Sequence, residues 1–126
     1  MGKVVHFEIP ADDMARANEF YKKVFGWHML EMPEMKYTMA HSGPTDDQNG
    51  MPKEAGFING GIMHRKDIKG PVVIMDVASV DETVKMAEAQ GSKVIRPKIQ
   101  VADMGYVAYM TDSEGNTVGV WENMKK

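Results

Sequence analysis

The sequence predicts an α+β fold built from two βαβββ modules, and two observations carry that prediction. The order strand, helix, three strands can be read along the first half of the chain and again along the second. Each repeat holds a single helix, enough to cover one face of its own sheet. The expected architecture is a curved mixed sheet around a cleft, with both helices on its convex face. A ferredoxin-like fold is the alternative, and four strands per repeat disfavour it. Residues 1–126 are expected to form one domain, module one covering about 3–64 and module two about 70–123.

The first strand is Val4-Val5-His6-Phe7-Glu8-Ile9, closed by Pro10. Alternation puts Val4, His6 and Glu8 on one face and Val5, Phe7 and Ile9 on the other. The second face is wholly apolar and should be buried against helix. The first sets an imidazole beside a carboxylate, which suits the wall of a cleft better than a dry core. Asp12 or Asp13 is a plausible N-cap for an amphipathic helix over Asp13–Phe25, with Met14, Ala17, Phe20, Tyr21 and Val24 as its apolar stripe. Lys22 and Lys23 in its last turn and Gly26 after it are favourable stop signals.

Trp27–Met32 and Met35–His41 read as strands joined at Pro33-Glu34, and Ser42–Ala55 as a long polar loop, of a length that is usually either mobile or functional. Phe57–His64 is a strand interrupted by Gly60-Gly61, which marks a bulge or a close approach by something else. In the second repeat Pro71–Val77 is a nearly continuous apolar strand. Ser79 and Glu82 fit a capping box opening the helix Val80–Gln90, which stops at Gly91. Strands Lys93–Ile99, Gly105–Thr111 and Thr117–Glu122 follow, the last two joined through Asp112-Ser113-Glu114-Gly115-Asn116.

Composition narrows the function classes. Hydrophobic residues make up 43% and charged residues 26%, as in soluble globular proteins. A net charge of −3 gives no electrostatic support for nucleic acid binding. No apolar run is long enough to span a membrane, and no signal peptide is expected before the first strand. The absence of cysteine excludes a thiolate nucleophile and a zinc–sulfur site, and fits a cytoplasmic protein. The 13 methionines read as gap-fillers of an irregular core.

His6-Phe7-Glu8-Ile9-Pro10, Phe20-Tyr21, Phe25-Gly26-Trp27, Asn59-Gly60-Gly61-Ile62-Met63, Val77 through Gly91 and Asp112–Asn116 form an ordered set. It resembles the vicinal oxygen chelate superfamily, which includes glyoxalase I, bleomycin-resistance proteins, extradiol dioxygenases and methylmalonyl-CoA epimerase. The resemblance covers essentially the whole chain and looks closest to the glyoxalase-like single-domain branch. In metal-dependent members the first and last strands of each module supply the ligands. Carried over, His6 falls on the first position, Val72 on its counterpart, Gly119 on the usual Glu, and Gly60 or Gly61 on the fourth. Only His6 among these can coordinate a metal, so the expected metal and cofactor content is none.

The candidate catalytic pair is therefore His6 and Glu8, as acid and base. The candidate ligand-binding set is Asn59, Gly61, Met63, Ile74, Tyr106 and Trp121. Tyr106 and Tyr109 cannot share a face, since their spacing is odd. His41 and His64, at strand ends, are expected in solvent. The first functional expectation is a bleomycin-resistance-like protein binding a small, partly apolar molecule without a metal. The alternatives are a metal-independent isomerase, epimerase or lyase using His6 and Glu8, and last a metal-dependent lactoylglutathione lyase or dioxygenase. The expected partners are a small-molecule ligand and a second copy in a homodimer, with no nucleic acid or membrane.

Overall fold

A computed structural model describes residues 2–124 and divides them into two compact units. The first, His6–Pro71, holds most of β1 (Val4–Ala11), then α1 (Met14–Phe25), β2 (His28–Met32), β3 (Tyr37–His41) and β4 (Gly60–His64). Its strand order is β2-β3-β4-β1; β1 and β4 run parallel and the other neighbours antiparallel. The second contains β5 (Val72–Asp76), α2 (Val80–Ala89), β6 (Val94–Val101), β7 (Gly105–Thr111) and β8 (Thr117–Asn123). Its order is β5-β8-β7-β6, again with one parallel pair, β5 and β8. The fold is α+β, with βαβββ connectivity repeated. The N-terminal residues go with the second unit: the Gly2 N–H donates to the Asp76 carbonyl at 2.9 Å, and the Asp76 N–H to Lys3 at 2.8 Å.

Both helices start as their sequences ask. The Asp13 carboxylate accepts the Arg16 N–H at 3.0 Å, and Gly26 closes α1 at φ 72°, a left-handed conformation that glycine adopts without strain. Ser79 Oγ accepts the Glu82 N–H at 3.1 Å, and Asp81 and Glu82 lie in the first turn of α2, where the helix dipole favours them. Among the described residues, no helix is long and apolar enough to cross a membrane.

In module one, Phe7 and Ile9 of β1 pair with Gly60 and Ile62 of β4, so these side chains share a face with Thr38 and Ala40 of β3. That face lies under α1: Phe7 touches Trp27 with ring centroids 5.6 Å apart, and Trp27 stacks on Tyr21 at 4.8 Å. The opposite face takes His6, Glu8, Tyr37, Met39, Gly61 and Met63. In module two, Val80, Ala108, Met110 and Val120 form the core with Val77, Val84, Ala87, Tyr106 and Val118 packed on it. The face away from α2 takes Ile74, Val107, Tyr109, Gly119 and Trp121.

Several expectations are corrected. Val5, expected to be buried with Phe7 and Ile9, is 40% exposed, because the pairing of β1 with β4 begins only at Phe7. Phe20 and Val24, expected in the buried stripe of α1, are 53% and 58% exposed. The stripe turned inward is Met14, Ala17, Asn18 and Tyr21, and Asn18 is the buried one. Polar Asn18 breaks the apolar pattern and so hides the true inner face; its Oδ1 has no hydrogen-bond partner among the described groups. Phe20, Tyr21, Phe25 and Trp27 instead stack on one another at the end of the helix.

The segment expected as a strand from Met35 begins with a 3-10 turn over Pro33–Met35 and a left-handed Lys36, and pairs only from Tyr37. Phe57–Asn59 lie outside β4. His64 is exposed as expected, whereas His41 is half-buried, its ring 5.9 Å from that of His28 across the strand pair.

Candidate functional site

The polar residues of the α1-free face of module one form a connected group. β1 brings His6 and Glu8 to that face two residues apart, and β3 brings Tyr37 to the same side. Between them runs β4, so Tyr37 must reach over the middle strand, across about 10 Å of sheet, to touch β1. The residue under its ring is Gly61, where a Cβ would collide with the Tyr37 ring and hydroxyl. Gly61 thus makes the room through which the Tyr37 hydroxyl arrives. Gly60 does the same on the other face, where a Cβ would strike Phe7. The glycine pair accommodates two aromatic side chains from neighbouring strands.

The Tyr37 hydroxyl donates to Glu8 Oε2 at 2.8 Å and lies 2.8 Å from His6 Nε2. His6 Nε2 and Glu8 Oε2 are 3.9 Å apart, too far for a direct hydrogen bond. Glu8 is 6% exposed and His6 half-buried. Desolvation pushes the His6 pKa below its usual 6.5, an effect partly offset by the nearby charge of Glu8. His6 is therefore a neutral imidazole at physiological pH, able to take up a proton. Half-buried Met39 and buried Met63 lie on the same face.

The other candidates lie elsewhere. The Asn59 amide serves its own loop: Oδ1 accepts the Ser42 N–H at 2.9 Å, and Nδ2 donates to Thr45 Oγ1 at 2.8 Å. That loop is itself braced by a bridge between Thr45 and Pro52. Ile74, in module two, is buried beside Gly119, where an added Cβ would sit 3.0 Å from Ile74 Cγ1. Trp121 is half-buried above Gly105 and donates from Nε1 to Asn123 Oδ1 at 2.8 Å. Tyr106 lies on the α2 side, with Lys98 Nζ 4.5 Å from its ring centroid, while Tyr109 is the tyrosine on the opposite face. Module two also has a crevice of about 390 Å³ between α2 and β6, floored by Val80, Val84, Val94 and Ala108. Its rim carries the exposed Lys98–Asp81 ion pair.

Sequence reading missed Tyr37. The available signal was the register that a glycine in β4 implies: a strand position emptied of side chain beside two polar groups invites a long neighbour to cross it.

The metal donor set that the resemblance implies does not fit this chain. Val72 is hydrocarbon, Gly119 has no side chain, and Glu8 Oε2 is bonded to Tyr37. Among the described residues, no group of three or more His, Cys, Asp or Glu is placed to hold a metal ion.

Comparisons with known proteins bear on the fold and the family. The family Ble-like_N, bleomycin resistance protein-like N-terminal, matches residues 3–43. A protein named "Putative glyoxylase CFP32" in Mycobacterium bovis and in Mycobacterium tuberculosis is 24% identical over 115 residues, 91% of this chain. The chain spans 43% of the length of those relatives. Methylmalonyl-CoA epimerase of Streptomyces coelicolor, solved with 2-nitronate-propionyl-CoA, is similar in fold at TM-score 0.63 and 14% identity, covering 99% of both chains. A hypothetical protein of Bacillus halodurans gives TM-score 0.64 and 15% identity, covering 99% of this chain and 96% of its own. The ordered motifs, the family model over residues 3–43, the glyoxylase relatives and the repeated βαβββ fold all make this chain similar to the glyoxalase/bleomycin-resistance superfamily.

Proposed function

We propose that the chain binds a small, partly apolar molecule on the α1-free face of module one and moves a proton on it without a metal. The reaction class is that of an isomerase, epimerase or lyase, with His6 and Glu8 as the acid–base pair. The observation that supports this reading is the chain of two 2.8 Å hydrogen bonds joining His6, Tyr37 and Glu8 beside Met39 and Met63. A half-buried neutral imidazole backed by a buried carboxylate is suited to general acid–base work. Methylmalonyl-CoA epimerase, a structural neighbour, names an epimerisation, which is a reaction of this class.

A second reading is sequestration without turnover, supported by the bleomycin resistance-like family that matches residues 3–43. A thermal-shift screen of small metabolites, followed by incubation of each stabilising compound in D2O, separates the two. Acid–base chemistry gives deuterium uptake or conversion that His6→Ala abolishes. Stabilisation with no exchange or conversion of any bound compound would leave the sequestering protein.

A homodimer in the cytoplasm completes the proposal. Phe25, 59% exposed, sits with Phe20 and Val24 in an apolar patch on α1 of the kind that partners cover. Sedimentation at micromolar concentration should give twice the 14.1 kDa of the chain, and a 14.1 kDa particle would remove the dimer.

A further inference from the structure

We infer that Tyr37 is a positioning residue that holds His6 as its Nε2–H tautomer and leaves Nδ1 as the proton-accepting atom of the site. The argument is an inventory of hydrogens. A phenol has one, and that of Tyr37 points at Glu8 Oε2. A carboxylate only accepts, so Glu8 cannot return a hydrogen to the phenol oxygen. The 2.8 Å contact between Tyr37 Oη and His6 Nε2 then needs its hydrogen from the imidazole. A neutral imidazole carries one N–H, so placing it on Nε2 leaves a lone pair on Nδ1. No protein group among the described residues hydrogen-bonds Nδ1.

Glu8 is 3.9 Å from Nε2 and acts on His6 through Tyr37. The order carboxylate, phenol, imidazole has the logic of a triad in which a buried acid fixes the tautomer of the base. The use made of Nδ1 rests on the acid–base reading above. A bond between hydrogen and a substrate atom breaks, its electron pair stays on the substrate, and the proton lands on Nδ1. Nε2–H keeps its bond to Tyr37 throughout, and the negative Glu8 beside it favours the imidazolium formed. Return of the proton from Nδ1 restores the starting protein.

The placement depends on two features of the strands. The register sets Tyr37 opposite Met63 and Met39 opposite Gly61, so the Tyr37 ring lies along β4 at the gap in side-chain cover on this face. Glu8 is the β1 partner of Gly61, which puts the carboxylate at the far side of the same gap. No other residue type of that length ends in a group that both donates and accepts.

Two-bond 15N–1H ring spectra of the 15N-labelled protein above pH 7.5 test the assignment, with His6→Ala identifying the His6 signals among the four histidines. The expected result is a fully unprotonated Nδ1 and a fully protonated Nε2. Glu8→Gln should move the ring toward a mixture, because the glutamine amide can donate to Tyr37 and release its hydroxyl hydrogen to Nε2. A protonated Nδ1 or a mixture in the unmodified protein would overturn the inference. So would His6 shifts that ignore both Glu8→Gln and Tyr37→Phe. These spectra contain no substrate, so a protein that shows the tautomer but turns nothing over would sink the acid–base reading alone.

Discussion

The two modules share a strand order and a helix position, yet their helix-free faces differ in kind. Module one presents His6, Glu8 and Tyr37 joined by hydrogen bonds; module two presents Ile74, Val107, Tyr109, Gly119 and Trp121. Both carry a glycine at the equivalent strand, and the use differs. Gly61 admits a tyrosine from the next strand, whereas the space beside Gly119 is bounded by Ile74 and Tyr109. A duplicated scaffold thus keeps its packing rules in both halves and concentrates its titratable chemistry in one. Helix-covered faces repeat because burial constrains them; the free faces are at liberty to diverge.

The largest expected effect lies on that difference. His6→Ala should lower any turnover by about 10²–10⁴-fold, the range for loss of a general acid–base group. Trp121→Leu in module two should leave the proton-transfer step within a few-fold. Steady-state kinetics that show the opposite division would move the chemistry to the other module.

Next come the two glycines. Gly61→Ala should cost about 1–3 kcal/mol in urea unfolding, because the new methyl group meets the Tyr37 ring and hydroxyl and overpacking shifts side chains. Gly119→Ala meets Ile74 Cγ1 at 3.0 Å and needs a shift of only a few tenths of an ångström, so its cost should be smaller. Equal costs would mean that Tyr37 is not held where the hydrogen bonds place it.

The helix caps should behave alike. Asp13→Ala and Ser79→Ala each remove one oxygen that accepts a first-turn N–H and should each cost about 1 kcal/mol. A large inequality would show that one helix depends on packing and the other on its cap.

The smallest effect is the pH dependence. The folded-state pKa of His6 lies below the unfolded 6.5, so the unfolded chain binds the extra proton first as the pH falls. Its contribution to stability is complete above about pH 6.5 and is lost as the pH drops through the lowered value. His41 is shifted the same way, by burial and then by His28, against the opposing charge of Asp47. His6→Gln should flatten the change in urea midpoint between pH 7.5 and 5.5 without abolishing it, because His41 remains.

Much of this was legible in the sequence where a local rule acts alone. The caps at Asp13 and Ser79, the stop at Gly26, the Asp112–Asn116 turn and the alternation in β1 depend on neighbours in the chain, and each follows from residue type. The inner stripe of α1 was not legible, because Asn18 occupies a buried place and Phe20 and Val24 find their partners or solvent outside the sheet. Tyr37 was hidden for a different reason: its partners lie 29 and 31 residues away and are met only once β4 is laid between β3 and β1. Asn59 looked like a ligand donor on a strand, and the long loop before it claimed both ends of its amide.

The most direct test of the central claim is solvent deuterium uptake by a compound that the thermal-shift screen selects, compared across Tyr37→Phe and Tyr109→Phe. These are the tyrosines on the two helix-free faces. The account predicts uptake by the unmodified protein, nearly unchanged uptake with Tyr109→Phe, and a fall of about 100-fold with Tyr37→Phe, as expected when a reacting base loses its alignment. Uptake that survives Tyr37→Phe and is lost with Tyr109→Phe would contradict it.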